Sequence, residues 1–152
     1  MSNHSHNEKF YSYLISMNNT YMELSDLLVK KAQALEEEDL YTLDEILNQE
    51  QVHVLKTRGF DQNLATFRSK TGYKGETLSE LIAEMPEDEH RRFGELRDKL
   101  SRSLGYAKQV NDKCQRLAQV KVHGINRIRS EAAKPAPEQK PSRQDRPFSK
   151  NV

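Results

Sequence analysis

The chain has no tryptophan, a single cysteine among 152 residues, and no proline before Pro86. One cysteine excludes an intramolecular disulfide framework. An 85-residue stretch without proline leaves the first half free to form long uninterrupted helices. No apolar run approaches the ~20 residues that a membrane-spanning helix needs. The opening Met-Ser-Asn-His-Ser-His lacks the charged-then-apolar layout of a signal peptide. Hydrophobic residues make up only 35% and charged residues 31%, with a mean hydropathy of −0.91. That is too polar for a thick core and suits an elongated helical bundle with a thin one. The expectation is a soluble cytoplasmic protein.

What is present is a ladder. From Phe93 to Ile128, apolar residues return at alternating steps of three and four: Phe93, Leu96, Leu100, Ala107, Val110, Cys114, Leu117 and Ile128, broken only at Ser103, Lys121 and Gly124. An average spacing of 3.5 residues puts them on one narrow stripe of a long helix. Such a stripe needs other helices beside it. A second ladder runs Leu14, Met17, Tyr21, Leu24, Leu28, Lys31, Leu35 and leads into the acidic cluster Glu36–Asp39. Ser5 and Glu8 have capping-box spacing, which predicts a helix start near Asn7. Thr42 and Glu45 offer a second box, ahead of a helix whose apolar face is Leu40, Leu43, Ile46, Leu47, Val54 and Leu55. Gly59 predicts a bend in that helix. Residues 69–77, with Gly72 and Gly75, read as a loop. Thr77 and Glu80 form a third box before a short helix, and Pro86 with Glu87-Asp88-Glu89 opens the last long one.

The fold class expected is all-α: an elongated three-helix antiparallel bundle or coiled coil, with a short connector helix and a disordered C-terminal tail. The domain plan is a flexible leader over 1–6, a helical domain over 7–130, and a basic, proline-containing tail over 131–152. Charge divides the same way. Residues 1–90 hold 8 Lys/Arg against 17 Asp/Glu, and residues 91–152 hold 16 against 6. Two readings follow. Acidic front helices neutralise a basic last helix, or the basic half binds an acidic partner or nucleic acid.

Catalytic chemistry finds little support. Gly72 and Gly75 lack the other positions of a phosphate-binding loop. His53, His90 and His123 stand apart from any second ligand at metal spacing, and His4 and His6 fall in the leader. Cys114 lies on the seam between Val110 and Leu117, where a buried small side chain is the expectation. The carboxylates of Glu36–Asp39 point in different directions around a helix and do not converge on one atom. The basic residues of the last helix scatter around it and lack interleaved stacking aromatics. No enzyme activity, cofactor, metal, nucleic-acid partner or membrane insertion is expected. What is left is apolar potential near the end of the last helix, where Val110, Leu117, Val120, Val122, Ile125 and Ile128 spread over more than one face. If the earlier helices stop short of it, that surface can receive another amphipathic helix.

The order of features resembles the FlgN-like flagellar export chaperones over roughly residues 8–130. The resemblance is carried by Ala34-Leu35-Glu36-Glu37-Glu38-Asp39-Leu40 with Leu43 and Leu47. It continues in the connector Thr71-Gly72-Tyr73-Lys74-Gly75-Glu76-Thr77-Leu78-Ser79-Glu80-Leu81, then in Pro86 and the Leu96/Leu100 helix. It ends in Val110-Asn111-Asp112-Lys113-Cys114-Gln115-Arg116-Leu117, similar to the family's Asn-x-x-Asn-x-x-Leu stretch with Cys114 at the second Asn. The resemblance implies a chaperone that binds C-terminal amphipathic helices of the hook–filament junction proteins. It would prevent their premature assembly and deliver them to the flagellar export gate. Client contact then falls to Leu117, Val120, Ile125 and Ile128, with Val110 at the edge. An aromatic in the tail has a gate-contact role in the family, and Phe148 is the candidate, though it stands in Arg-Pro-Phe-Ser without the expected tyrosine. The expected state is a monomer or weak dimer. A self-assembling structural coiled-coil protein is the first alternative, and a nucleic-acid-binding helical protein the second.

Overall fold

A computed structural model describes residues 3–132 together with Phe148 and Asn151. Five helices follow one another: α1 (His4–Glu37), α2 (Leu40–Thr57), α3 (Phe60–Thr71), α4 (Leu78–Glu84) and α5 (Glu87–Ala132). Among the described residues there is no strand. The two long helices lie side by side and run parallel. Their cross-helix contacts keep a nearly constant separation in sequence: Glu8–Arg92 at 84, Asn18–Ser103 at 85, Leu28–Cys114 at 86 and Glu38–Lys121 at 83. Between them α2 and α3 run back along α1, as Lys31–Glu50, Glu23–His53, Tyr13–Phe60 and Phe10–Phe67 show. The architecture is therefore an up-down-up bundle, with each sequential neighbour antiparallel and a middle arm broken at Arg58–Gly59. This is the three-helix plan read from the sequence, and the bend expected at Gly59 is a complete break.

The ladders form the core. Phe93, Leu96, Leu100, Ala107, Val110 and Cys114 are buried against Leu14, Met17, Tyr21, Leu24 and Leu28, with Phe60, Leu64 and Phe67 of α3 and Leu78, Leu81 and Ile82 of α4 closing one end. Three polar interruptions of the pattern have polar partners. The Ser103 hydroxyl donates to Asn18 Oδ1 at 2.7 Å, Lys121 Nζ to Glu38 Oε1 at 2.7 Å, and Lys31 Nζ to Glu50 Oε2 at 3.0 Å. Ser103 and Lys121 thus meet α1 across the seam, and Lys31 meets α2.

Local chemistry explains the helix ends. α1 starts at His4, earlier than the start near Asn7 read from Ser5 and Glu8, and its flanking residue Asn3 makes no side-chain cap. Glu8 is drawn away to Arg92, so the capping box is not used. α1 ends with Glu38 in the left-handed region at φ 56°. Glu38 N–H donates to the Leu35 carbonyl and Asp39 N–H to the Ala34 carbonyl, a Schellman closure made without glycine. Asp39, not Thr42, then caps α2: its Oδ1 accepts from Thr42 N–H at 3.1 Å and its Oδ2 from the Thr42 hydroxyl at 2.7 Å. Thr77 caps α4 as read, accepting from Glu80 N–H at 3.2 Å.

The glycine connector has two separate reasons for its glycines. Gly72 ends α3 at φ 81°, where a side chain is strained. Gly75 lies so close to α4 that a Cβ there would come within 2.8 Å of the Glu80 and Leu81 backbone. Glu84 fixes the loop by accepting from Lys74 N–H and Gly75 N–H at 2.8–3.0 Å. These backbone donors hold its carboxyl below the usual carboxylate range.

Candidate functional site

The long-helix interior holds no reactive constellation among the described residues. Cys114 is 1% exposed and its Sγ lies 3.2 Å from the Leu28 carbonyl. Burial pushes its thiol up, so it is kept protonated and packs as the seam residue the sequence indicated. His4, Glu8 and Glu89 come together at the start of the two long helices with one ligand atom each within 4.8 Å of the others. Arg92 already binds both carboxylates, with Nη2 2.6 Å from Glu89 Oε2 and in contact with Glu8 Oε1. It also covers the Tyr11 ring at 4.3 Å. A fixed guanidinium in the middle of the cluster opposes a metal cation and explains why Glu8 titrates low. The group acts as a clamp between the first turns of α1 and α5.

The charge asymmetry is largely an internal matter. Glu8–Arg92, Glu36–Lys113 and Glu38–Lys121 pair the acidic α1 with the basic α5, while Arg91–Glu95 and Arg97–Asp98 pair within α5. These contacts discount the field a nucleic acid would meet, since Arg91, Arg92, Arg97, Lys113 and Lys121 of α5 are already paired.

The unusual surface is apolar. The helix pairs that pack closely are α1 with α5, α1 with α2, α4 with α5 and, less, α1 with α3. At the end of the bundle away from α4, α2 therefore leans on α1 alone. Of the six residues read as its apolar face, Ile46 is buried and Leu43 and Val54 are half-buried, while Leu40 is largely exposed, Leu47 39% and Leu55 64%; Tyr41 beside them is also largely exposed. A helix with one close neighbour covers a narrow stripe, so Leu43, Ile46 and Val54 are covered and the rest of the apolar face is not. Leu47, Val54 and Leu55 line an open cleft with Glu50, Arg58 and, from α1, Lys31. The Lys31–Glu50 ion pair on the wall of this cleft joins α1 to α2.

The second apolar element is the overhang of α5. Lys121 pairs with Glu38 at the end of α1, so α5 beyond it runs past α1 for about three turns. Val120 is 67% and Ile128 70% exposed there, with Val122 half exposed. The corner Leu40-Tyr41 lies at the same end, two residues after Glu38, which Lys121 contacts.

The sequence-selected positions separate into groups. Val110 is 8% exposed and belongs to the core. Leu117 is half-buried against it. Val120 and Ile128 are open. The Ile125 side chain lies outside the described residues. Phe148 is half-buried and packs against the hydrophobic core. The rest of the tail, including the disorder expected for it, lies outside the described residues. The exposed row on α2 was missed as a surface. Its signal was compositional, since α2 carries eight apolar residues in 18, more than a single narrow seam holds.

The fold is a parallel pair of long helices with a broken return arm and an apolar overhang on α5. The model of the family described as FlgN protein matches residues 1–132, and the chain belongs to that family, the flagellar export chaperones. Among curated proteins and among solved structures, nothing matches. Among the described residues no helix is long and apolar enough to cross a membrane.

Proposed function

We propose that the protein holds C-terminal amphipathic helices of the hook–filament junction proteins in the cytoplasm, prevents their premature assembly and delivers them to the flagellar export gate. Support comes from the family and from one observation above the others: α5 continues past α1 with exposed apolar side chains, and Leu47 and Leu55 of α2 are exposed as well. A client helix laid there would contact Leu117, Val120, Ile125 and Ile128 on α5, with Val110 beneath the edge, and Leu47, Val54 and Leu55 on α2. Helix-in-groove docking suits this surface, since apolar anchors at helical spacing supply the affinity. The surface is open rather than enclosed, with Val120 and Ile128 about two-thirds exposed, which favours a complex that can be released again. Phe148 is the residue assigned to gate contact.

The test is titration calorimetry of the full chain with purified C-terminal segments of the junction proteins. A saturable one-to-one complex of micromolar affinity or tighter is the expected result. No heat and no co-elution from a verified helical protein refute the reading. Light scattering on the same sample decides the self-assembly alternative, which demands stable dimers or larger species at micromolar concentration.

A further inference from the structure

We propose that the α3–α4 end of the bundle is a docking site for the chain's own C-terminal tail, which Phe148 and Asn151 fasten there in cis. Asn151 contributes two contacts. Its carbonyl accepts from the Leu78 N–H at 3.3 Å, and its side-chain Nδ2 donates to Asp61 Oδ1 at 3.2 Å. Leu78 is fully buried, and the first amides of a helix have no acceptor within it. A carbonyl delivered from elsewhere satisfies a donor that burial would otherwise penalise. The bond to Asp61 is charge-assisted. Three residues earlier, Phe148 packs its ring against the hydrophobic core. An aromatic anchor followed by a hydrogen-bonded residue is how a short peptide is held on a protein surface.

The specific charge contact is the one to Asp61, since residues 60–84 hold three Lys/Arg against four Asp/Glu. Geometry then asks whether the tail can reach. Asp61 follows Phe60, whose ring lies 6.4 Å from that of Tyr13. With the sequence offset of 85 between α1 and α5, that is the level of Asp98. From Asp98 to Ala132 α5 rises about 50 Å at 1.5 Å per residue. From Ala132 to Asn151 the chain can span at most about 63–68 Å. The tether therefore reaches in cis with little slack, and its length is matched to the site. Removing ten residues would leave a reach of only about 30 Å.

The docking itself stands without the chaperone reading. Its consequence rests on that reading: a docked Phe148 is covered, so the tail must leave the bundle before its aromatic can meet the export gate. The gate-contact aromatic and the intramolecular anchor are one residue, and the two engagements exclude each other.

The test uses the full chain, 15N-labelled, with Cys114→Ala and a spin label on Val152→Cys. Paramagnetic broadening centred on Asp61, Tyr73 and Leu78 is expected, unchanged on dilution with unlabelled protein. Phe148→Ala should abolish that pattern and lower protection of the Leu78 amide against hydrogen exchange at least tenfold. Deleting residues 133–142, which keeps Phe148, should also abolish it, with unchanged helicity in both variants. Absent broadening, broadening that survives the deletion, or broadening seen only between spin-labelled and 15N-labelled molecules in a mixture overturns docking in cis. No client is present in this experiment, so its failure is distinct from failure of the client titration.

Discussion

Replacing Val120 and Ile128 together by alanine probes the α5 overhang directly. The two side chains are 67% and 70% exposed. Full burial of a valine or isoleucine side chain contributes about 1.5–3 kcal/mol, so covering the exposed two-thirds of each would contribute roughly 2–4 kcal/mol in all. Alanine keeps its Cβ, which leaves an expected loss of about 1.5–3 kcal/mol, or a roughly 10- to 150-fold rise in Kd. The fold should not suffer. Neither side chain is in the core, and alanine is the better helix former by several tenths of a kcal/mol, so the urea midpoint should hold or rise. Calorimetry with junction-protein segments reads the affinity, and circular dichroism with a urea titration reads the fold. A Kd within twofold of the parent, with folding unchanged, refutes the overhang as client surface. Leu47→Ala with Leu55→Ala is the companion measurement. A matching loss puts the client between α2 and α5, whereas an unaffected affinity confines it to α5.

Three further outcomes follow from the packing. The Tyr21 hydroxyl is buried and has no partner among the described residues, so Tyr21→Phe should stabilise the fold by about 1 kcal/mol, read as a raised urea midpoint. Burial also holds Tyr21 above the ordinary tyrosine range, so the native state needs it neutral while the unfolded chain ionises above about pH 10. That contribution is present below pH 10 and lost as pH rises further, and Tyr21→Phe should flatten the alkaline decline. A parent and variant with identical alkaline slopes would contradict this. Gly75→Ala should cost more than Gly72→Ala, about 2–3 kcal/mol from collision with the α4 backbone against about 1 kcal/mol from the positive φ; the reverse order in urea denaturation sinks the assignment of the two roles. Arg92 holds the Glu8 carboxyl below its ordinary value near 4.5. The stabilisation is therefore present above that value and lost as pH falls through the depressed one, so Glu8→Gln should flatten stability against pH on the acid side. An unchanged acid limb would show that the clamp contributes nothing.

The fold was legible because its determinants are local and periodic. The three-and-four ladders of α1 and α5 became the core seam as read, and their polar breaks at Lys31, Ser103 and Lys121 became cross-helix contacts. The caps were less legible. Ser5, Thr42 and Thr77 present similar local patterns, yet only Thr77 is used as read. At α1 a distant arginine takes the glutamate the box required. At α2 an aspartate three residues upstream of Thr42 offers an ionised acceptor and wins. Competition of this kind depends on residues far away in sequence or on relative acceptor strength, which spacing alone does not encode.

The surface was hardest to read for a related reason. Periodicity reports which side chains share a face, but whether that face is covered depends on where the neighbouring helices stop. The ladder of α5 runs from Phe93 to Leu117 with one break at Ser103 and continues to Ile128, yet full burial ends at Cys114, level with Leu28, and contact with α1 ends near Glu38, where α1 turns. The same turn, closed by a left-handed Glu38 and capped by Asp39, throws α2 back against α1 on a line that leaves Leu47 and Leu55 uncovered. One corner thus creates both apolar surfaces at once. A single change that moved it, such as lengthening α1 by two turns, would shelter the α5 overhang under new helix and shift the α2 row away from it. The acidic run Glu36–Asp39 has no catalytic geometry, but it sets the length of α1, and that length determines how much of α5 is left for a partner.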